Sequence, residues 1–206
     1  MDVILASGSP RRHDLLEKLG WNVCVVVPEI DERPLPAESP EDLCIRLSVK
    51  KAAKVAEMEI YKNEGIPVIA ADTIVVVDGD VLGKPADESE SLIMLRRLQG
   101  RTHDVLTGVS VIGKGKVLSG MERTKVNFRT LDDEAIRAYA ATGEGADKAG
   151  AYAIQDKGSL LVASIEGDYF NVVGLPLCRL SSMIEEMGLG LPMQWSSFQS
   201  QANVTN

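Results

Sequence analysis

Apolar and polar positions along this chain predict both strands and helices, in an order that is not a strict alternation of the two. Asp2-Val-Ile-Leu-Ala6 is a short buried strand that runs into Ser7-Gly8-Ser9-Pro10, where Ser9 is placed to cap a helix and Pro10 to be its first residue. Leu15, Leu16 and Leu19 give that helix its apolar stripe, and Gly20 ends it. A second strand, about Asn22 to Val27, leads to a polar loop holding Asp31, Glu32 and Arg33. Ser39-Pro40 opens a long helix with Glu41 and Asp42 in its first turn, where acids suit the dipole. Leu43, Leu47, Ala52 and Val55 keep helical spacing, and the helix is expected to continue to about residue 62.

The middle of the chain is rich in strands. Pro67 to Ala71 and Ile74 to Val77 are apolar runs parted by the polar pair Asp72-Thr73, and Asp78-Gly79 is a hairpin turn signal. Glu88 to Leu98 is an amphipathic helix ended by Gly100. Strands follow over His103 to Ile112 and Lys116 to Phe128, joined at Gly113-Lys114-Gly115. Thr130-x-x-Asp133 has the form of a capping box for a helix to Ala141. Short strands are expected over Ala151 to Ile154 and Leu160 to Ile165, then a turn at Glu166-Gly167-Asp168 and a last helix from Pro176 to Met187. This pattern predicts an α/β fold, a mixed sheet flanked by helices. Residues 1–188 are expected to form a single domain with room for two lobes. The uncharged stretch that follows, 189–206, is rich in Gln, Ser and Asn and is expected to be a flexible tail.

Composition narrows the function classes. The chain has 206 residues, 45% apolar, and only 4% aromatics, so the core is built mainly from aliphatic side chains. No apolar stretch approaches the ~20 residues that span a bilayer, and Asp2 with Pro10-Arg11-Arg12 interrupts any signal-peptide pattern. With 22 basic and 30 acidic residues the net charge is −8, which argues against long nucleic acid as a partner. Cys24, Cys44 and Cys178 are odd in number and far apart, which suggests buried reduced thiols in a cytoplasmic protein rather than disulfides or a structural zinc.

No Walker loop, Gly-x-Gly-x-x-Gly, Gly-x-Ser-x-Gly or His-Glu-x-x-His motif occurs, and neither His13 nor His103 has a recognisable nucleophile context. Four segments instead break the apolar pattern with groups that suit phosphate chemistry. Ser7-Gly-Ser-Pro-Arg-Arg12 combines hydroxyls, a helix N-terminus and two guanidiniums, the ingredients of an anion site or of a plain helix cap. Asp72-Thr73 places a carboxylate between apolar runs, where burial is costly unless the group is paired; a bulge or strand-end turn is the simpler alternative. Lys84, in Gly83-Lys84-Pro85, ends a hairpin strand. Lys148 to Gln155, followed by Asn171 to Pro176, brings glycines and an amide near strands.

Taken together, Leu5-Ala-Ser-Gly-Ser-Pro-Arg-Arg12, Ala71-Asp-Thr73, Leu82-Gly-Lys-Pro85, His103-Asp-Val-Leu-Thr-Gly-Val109, Asp147 to Gln155 and Asn171-Val-Val-Gly-Leu-Pro-Leu177 resemble the Maf family of nucleoside triphosphate pyrophosphatases, in order from about residue 3 to residue 185. The resemblance implies hydrolysis between the α and β phosphates, a divalent cation (Mg²⁺ or Mn²⁺), a cytoplasmic setting and a homodimer. It implies a strongly twisted mixed sheet flanked by helices, with a central cleft, like that of inosine triphosphate pyrophosphatases. Carried over by position, Asp72 matches the family's proposed proton acceptor, and Arg12, Thr73 and Gln155 match positions that separate substrate subgroups. Ser7, Arg12, Glu32, Lys51 and Lys84 match its polar cleft. The Tyr-x-Ile-Gln form resembles the subgroup acting on dTTP and UTP, although Asp156 stands where that subgroup often has glycine. The sister subgroup that takes a methylated guanine nucleotide, and a nucleotide-binding regulator of septum formation without essential turnover, are the alternatives.

These assignments are chemically coherent. In-line attack of water on the α-phosphorus needs a base, a metal, and cations where negative charge gathers. Asp72 is expected as the base or a metal ligand, and Glu32 with Asp72 would satisfy a magnesium ion that keeps its waters and phosphate oxygens. Lys51, Lys84 and Arg12 would neutralise the triphosphate, while Ser7 and Ser9 would cradle its oxygens.

Overall fold

The computed structural model describes residues 1–58 and 65–196, which build a seven-stranded sheet with helices around it. In chain order the elements are β1 (Asp2–Leu5), α1 (Pro10–Lys18), β2 (Asn22–Val25), α2 (Pro40–Ala56), β3 (Val68–Val77), β4 (Asp80–Leu82), α3 (Glu88–Leu98), β5 (Thr102–Gly113) and β6 (Lys116–Phe128). They continue through α4 (Asp133–Ala140), two short 3-10 turns (Ala149–Ala151 and Asp156–Leu161), β7 (Val162–Glu166), α5 (Tyr169–Val173), α6 (Leu177–Glu186) and α7 (Leu191–Trp195). The strand order is β2-β1-β3-β5-β6-β7, with β4 paired to β3. β1 runs parallel to both β2 and β3, whereas β4 and β7 pair antiparallel with β3 and β6. The sheet is therefore mixed, as the pattern of hydrophobic positions predicts.

The chain divides into two compact units, residues 1–72, 108–121 and 174–206 in one and 73–107 and 122–173 in the other. In the first unit β1 is covered beyond the exposed Asp2, with Val3, Ile4, Leu5 and the following Ala6 at most 1% exposed. Ile4, Ala6, Val68 and Ala70 pack with Ala52 and Val55 of α2, so the apolar stripe of that helix lies on the strands. Burying a Val, Leu or Ile contributes ~1.5–3 kcal/mol each. Gly108 of β5 permits a closer approach of α2, because a Cβ there would lie 2.1 Å from the Cys44 carbonyl oxygen. No side chain but hydrogen fits.

In the second unit Val75, Val77, Leu82, Met94, Leu95, Leu98, Val105, Val126 and Phe128 form one core with Ile136, Tyr139 and Tyr152. Within it His103 is buried: its Nε2 lies 2.8 Å from the Tyr152 hydroxyl, and Phe128 and Tyr152 meet its ring edge-on. Burial pulls the His103 imidazole down to about 4.

Several expectations need correction. Asp72 and Thr73 interrupt nothing: β3 is one continuous ten-residue strand with both inside it. Helix α2 stops at Ala56, because the buried face is complete at Val55 and Glu57 caps the helix; residues 59–62 of the expected extension lie outside the described residues. Ser9 holds the N-cap position of α1, but its side chain makes no capping bond; Ser39 does cap α2, accepting from the Asp42 amide. The cap of α4 is Asp132, whose Oδ1 accepts from the Ala135 amide, and not Thr130. The apolar run Ala151 to Ile154 is buried but unpaired, since Gly150 and Ala151 both take positive φ and turn the chain away from an extended path. Helix α5 was not anticipated. None of the three cysteines forms a disulfide, yet only Cys44 is buried, with Cys24 and Cys178 exposed. Within the stretch expected as a tail, Leu191–Trp195 forms α7, and Gln194 is buried there. Its carbonyl accepts from Trp21 Nε1 at 3.1 Å, and its side chain bonds Ser181 and the Leu189 carbonyl. Residues 197–206 lie outside the described residues.

Candidate active site

Six of the sequence-predicted residues, Ser7, Ser9, Arg12, Glu32, Lys51 and Asp72, lie in the first unit. Ser7 follows β1, where the chain leaves the sheet, and its Oγ accepts from the Ser9 amide at 3.2 Å and from Arg12 Nη1 at 3.0 Å. Arg12, on the first turn of α1, turns inward rather than to solvent, and its Nε donates to the Gly174 carbonyl at 2.7 Å. Burial pulls the Arg12 guanidinium down to about 10, with Asp72 acting against that pull, so it stays charged at neutral pH. Ser9 is half-buried beside this pair.

Asp72 lies in the apolar middle of β3 and is 8% exposed. A carboxylate at such a position costs several kcal/mol unless it is paired, and its partner is Lys51. Lys51 Nζ lies 2.6 Å from Asp72 Oδ1 and 2.7 Å from Glu32 Oε1. Lys51 reaches there from α2, the helix that Gly108 lets onto the sheet, and Glu32 comes from the loop after β2. One ammonium thus joins two carboxylates that lie 40 residues apart in the chain. Among the described residues Asp72 Oδ2 accepts no hydrogen bond, which leaves that oxygen for chemistry. The Cys44 thiol nearby is pushed up to about 12 by burial and by Asp72, so it stays protonated.

Asp72 and Glu32 supply hard carboxylate oxygens, the donor type a divalent cation prefers, and both lie against the Lys51 ammonium. Elsewhere among the described residues one set of three potential ligands occurs, His13, Asp14 and Glu17, on the exposed face of α1.

The other three predicted residues belong to the second unit. Thr73, next to Asp72 on β3, is half-buried, with its Oγ1 2.9 Å from Thr107 Oγ1. Lys84 is exposed just beyond β4, where the Gly83 carbonyl accepts from the Gly150 amide. Gln155 is half-buried ahead of the 3-10 turn over Asp156–Leu161, and its side chain makes no hydrogen bond among the described residues. The backbone on both sides of Gln155 is held firmly. The Tyr139 hydroxyl accepts from the Ala153 amide at 3.1 Å, and the Glu144 carboxylate accepts from the Lys157 and Gly158 amides at 3.1 and 2.7 Å. Gly158 is required in that clamp, because a Cβ there would lie 2.0 Å from the Ala153 carbonyl oxygen. Asp156 takes a φ of 50°, a left-handed conformation that favours glycine and that aspartate tolerates.

Sequence reasoning missed Thr107, Glu144 and Asn171 as working parts of this region. Thr107 and Asn171 do lie inside the quoted motifs, but no pattern marks Glu144, which acts through backbone amides 13 and 14 residues away.

The chain is 50% identical over 186 residues to a dTTP/UTP pyrophosphatase of Symbiobacterium thermophilum, covering 90% of this chain and 94% of that one. It is 48% identical over 193 residues to a dTTP/UTP pyrophosphatase of Dictyoglomus turgidum, covering 92% and 98%. Among solved structures the Staphylococcus aureus Ham1 protein matches 62% of this chain and 72% of its own with a TM-score of 0.43 and 15% identity, a likeness too slight to add to the fold described above. A family model described as Maf-like protein matches residues 2–187, a span that includes Ser7, Arg12, Glu32, Lys51, Asp72 and every other residue placed above, and the chain belongs to the Maf family.

Proposed function

We propose that this chain hydrolyses nucleoside triphosphates between the α and β phosphates, releasing a monophosphate and pyrophosphate, with dTTP and UTP preferred. The observation that carries the reading is Asp72, a carboxylate set in an apolar strand and paired with a lysine that also holds Glu32. The names of relatives that match nine-tenths of the chain at about half identity support the same activity and the same bases.

In this reading Asp72 orients the attacking water and takes its proton through Oδ2. Glu32 and Asp72 would hold Mg²⁺ or Mn²⁺, which when bound polarises phosphate oxygens and offsets their charge. Arg12, Lys51 and Lys84 balance charge on the triphosphate and on the leaving pyrophosphate. Ser7, whose Oγ already accepts two hydrogen bonds, has its proton left to donate to a phosphate oxygen, and the exposed edge of Ser9 lies alongside. Arg12, Thr73 and Gln155 select the base. The family resemblance further supports a homodimer in the cytoplasm; among the described residues no helix is long and apolar enough to cross a membrane.

The test is pyrophosphate release by the purified chain with Mg²⁺ or Mn²⁺ and a panel of pyrimidine, purine and methylated guanine triphosphates. The expected result is release with dTTP and UTP foremost. Release from the methylated guanine nucleotide alone would move the chain to the sister subgroup. No release from any nucleotide would favour a binding regulator. Lys84→Ala is expected to reduce kcat/KM for every triphosphate by a similar factor, roughly tenfold, since phosphates are common to all of them. An effect confined to one base would put Lys84 at the base end.

A further inference from the structure

The Thr73 hydroxyl has one proton, and its bonding partners reveal where that proton goes. Thr73 Oγ1 and Thr107 Oγ1 are 2.9 Å apart, a distance at which either could donate. The next bond decides between them. Thr107 Oγ1 lies 3.0 Å from the Asn171 backbone carbonyl, which only accepts, so the single Thr107 proton is committed there. Thr73 must then be the donor to Thr107. Every other hydrogen bond through Thr73 Oγ1 is one that it accepts.

The network behind Thr107 has no freedom to reverse. Asn171 Nδ2 donates to the Val105 carbonyl and to Thr124 Oγ1, both at 3.0 Å. Thr124 Oγ1 donates its proton to the Asp168 carbonyl at 2.9 Å and accepts from the Asp168 amide. Thr107, Thr124 and Asn171 are each 0% exposed, so bulk water cannot supply or remove a partner. The direction of each bond is fixed at its far end by a carbonyl.

A hydroxyl that can only accept is a poor partner for phosphate, whose ionised oxygens also only accept. It suits an N–H. We propose that Thr107 fixes Thr73 as an acceptor, and that Thr73 receives the N3–H of a uracil or thymine base. Cytosine has a lone pair at N3, so two acceptors would face each other and the base is refused. This deepens the base-selection role given to Thr73 above and rests on it. It assigns the polarity of the contact, and it makes Thr107 a positioning residue that never touches the nucleotide.

The test uses the full chain with UTP and CTP as substrates and with UMP, CMP and 3-methyluridine monophosphate as ligands in calorimetry without metal. Thr107→Val keeps the shape but removes the acceptor, so the Thr73 hydroxyl can turn and donate to the cytosine N3. The UTP-to-CTP ratio of kcat/KM is expected to fall roughly tenfold, the scale of one hydrogen bond, with CMP binding more tightly than to wild type. A gain in CMP affinity is not something a loosened fold produces. Thr107→Ser, which retains the hydroxyl, is expected to keep the wild-type ratio. Should Thr107→Val not fold, the wild-type protein still decides: 3-methyluridine monophosphate, which lacks the N3–H, is expected to bind at least tenfold more weakly than UMP, and Thr73→Ala to narrow that gap. An unchanged ratio and CMP affinity in Thr107→Val, while Thr73→Val alters the ratio, would overturn the polarity argument but leave Thr73 at the base. An unchanged ratio in Thr73→Val would remove Thr73 from the base, and this inference with it. Equal wild-type affinity for UMP and its 3-methyl form would overturn it as well.

Discussion

Asp72→Asn is expected to lower kcat at least ~10²-fold, the usual scale for loss of general-base catalysis. The substitution keeps the shape of the side chain, and the amide oxygen can still accept from Lys51 Nζ, now 2.6 Å from Oδ1. What disappears is the charge and the proton-accepting ability of Oδ2. The fold should therefore survive, which circular dichroism checks, while steady-state pyrophosphate release reports the chemistry. A metal titration separates the two roles of this carboxylate. If the variant regains activity at high Mg²⁺ or Mn²⁺, Asp72 acts chiefly as a ligand. If kcat stays near wild type at ordinary metal, Asp72 is not the base and Glu32 is the next carboxylate to replace.

The second large effect concerns stability and pH. His103 is neutral and buried, with a folded-state value of about 4 against 6.5 in an exposed chain. The unfolded chain therefore takes up a proton that the folded one resists. Stability from this residue is complete above pH 6.5 and is lost progressively as pH falls from 6.5 toward 4. At about 1.4 kcal/mol per pH unit the loss is ~3 kcal/mol, on the order of a third of the stability of a typical domain. His103→Gln can still bond the Tyr152 hydroxyl but does not titrate in this range. Urea unfolding at pH 7 and at pH 4.5 should show a markedly smaller loss for the variant than for wild type. Equal losses would mean that His103 gains its proton while folded, through an opening of the aromatic core.

Local pattern carried far in this chain, and the limits of its reach have physical causes. Glu88–Leu98 is a helix with the bounds that its periodicity and the following glycine indicate, because every signal there is local. The strands of β5 and β6 were legible for the same reason, with a two-residue turn at Lys114 and Gly115, both at positive φ. Asp72 was legible as an anomaly, a charge among β-branched residues. Its solution was not, since Lys51 is 21 residues away on a helix whose placement depends on a missing side chain at Gly108. Ala151 to Ile154 reads as a strand because burial and pairing leave the same apolar signature. Here the side chains are buried while the Ala151 amide donates to the Lys148 carbonyl and the Ala153 amide to the Tyr139 hydroxyl, rather than to a neighbouring strand. Likewise Thr107 could be read only as part of a motif. Its role depends on the Asn171 carbonyl, 64 residues further along the chain.

The chain has only two tryptophans, and the docking of α7 makes them optical opposites. Trp21 is 5% exposed with its indole N–H tied to the Gln194 carbonyl, while Trp195, one residue beyond Gln194, is 58% exposed. Iodide or acrylamide in solution will therefore quench the red-shifted emission of Trp195 and spare the bluer emission of Trp21. When α7 lifts from its seat, Trp21 gains access to quencher and its emission moves to longer wavelength. The natural fluorescence of the protein thus reports on the anchoring of its C-terminal helix without any added label.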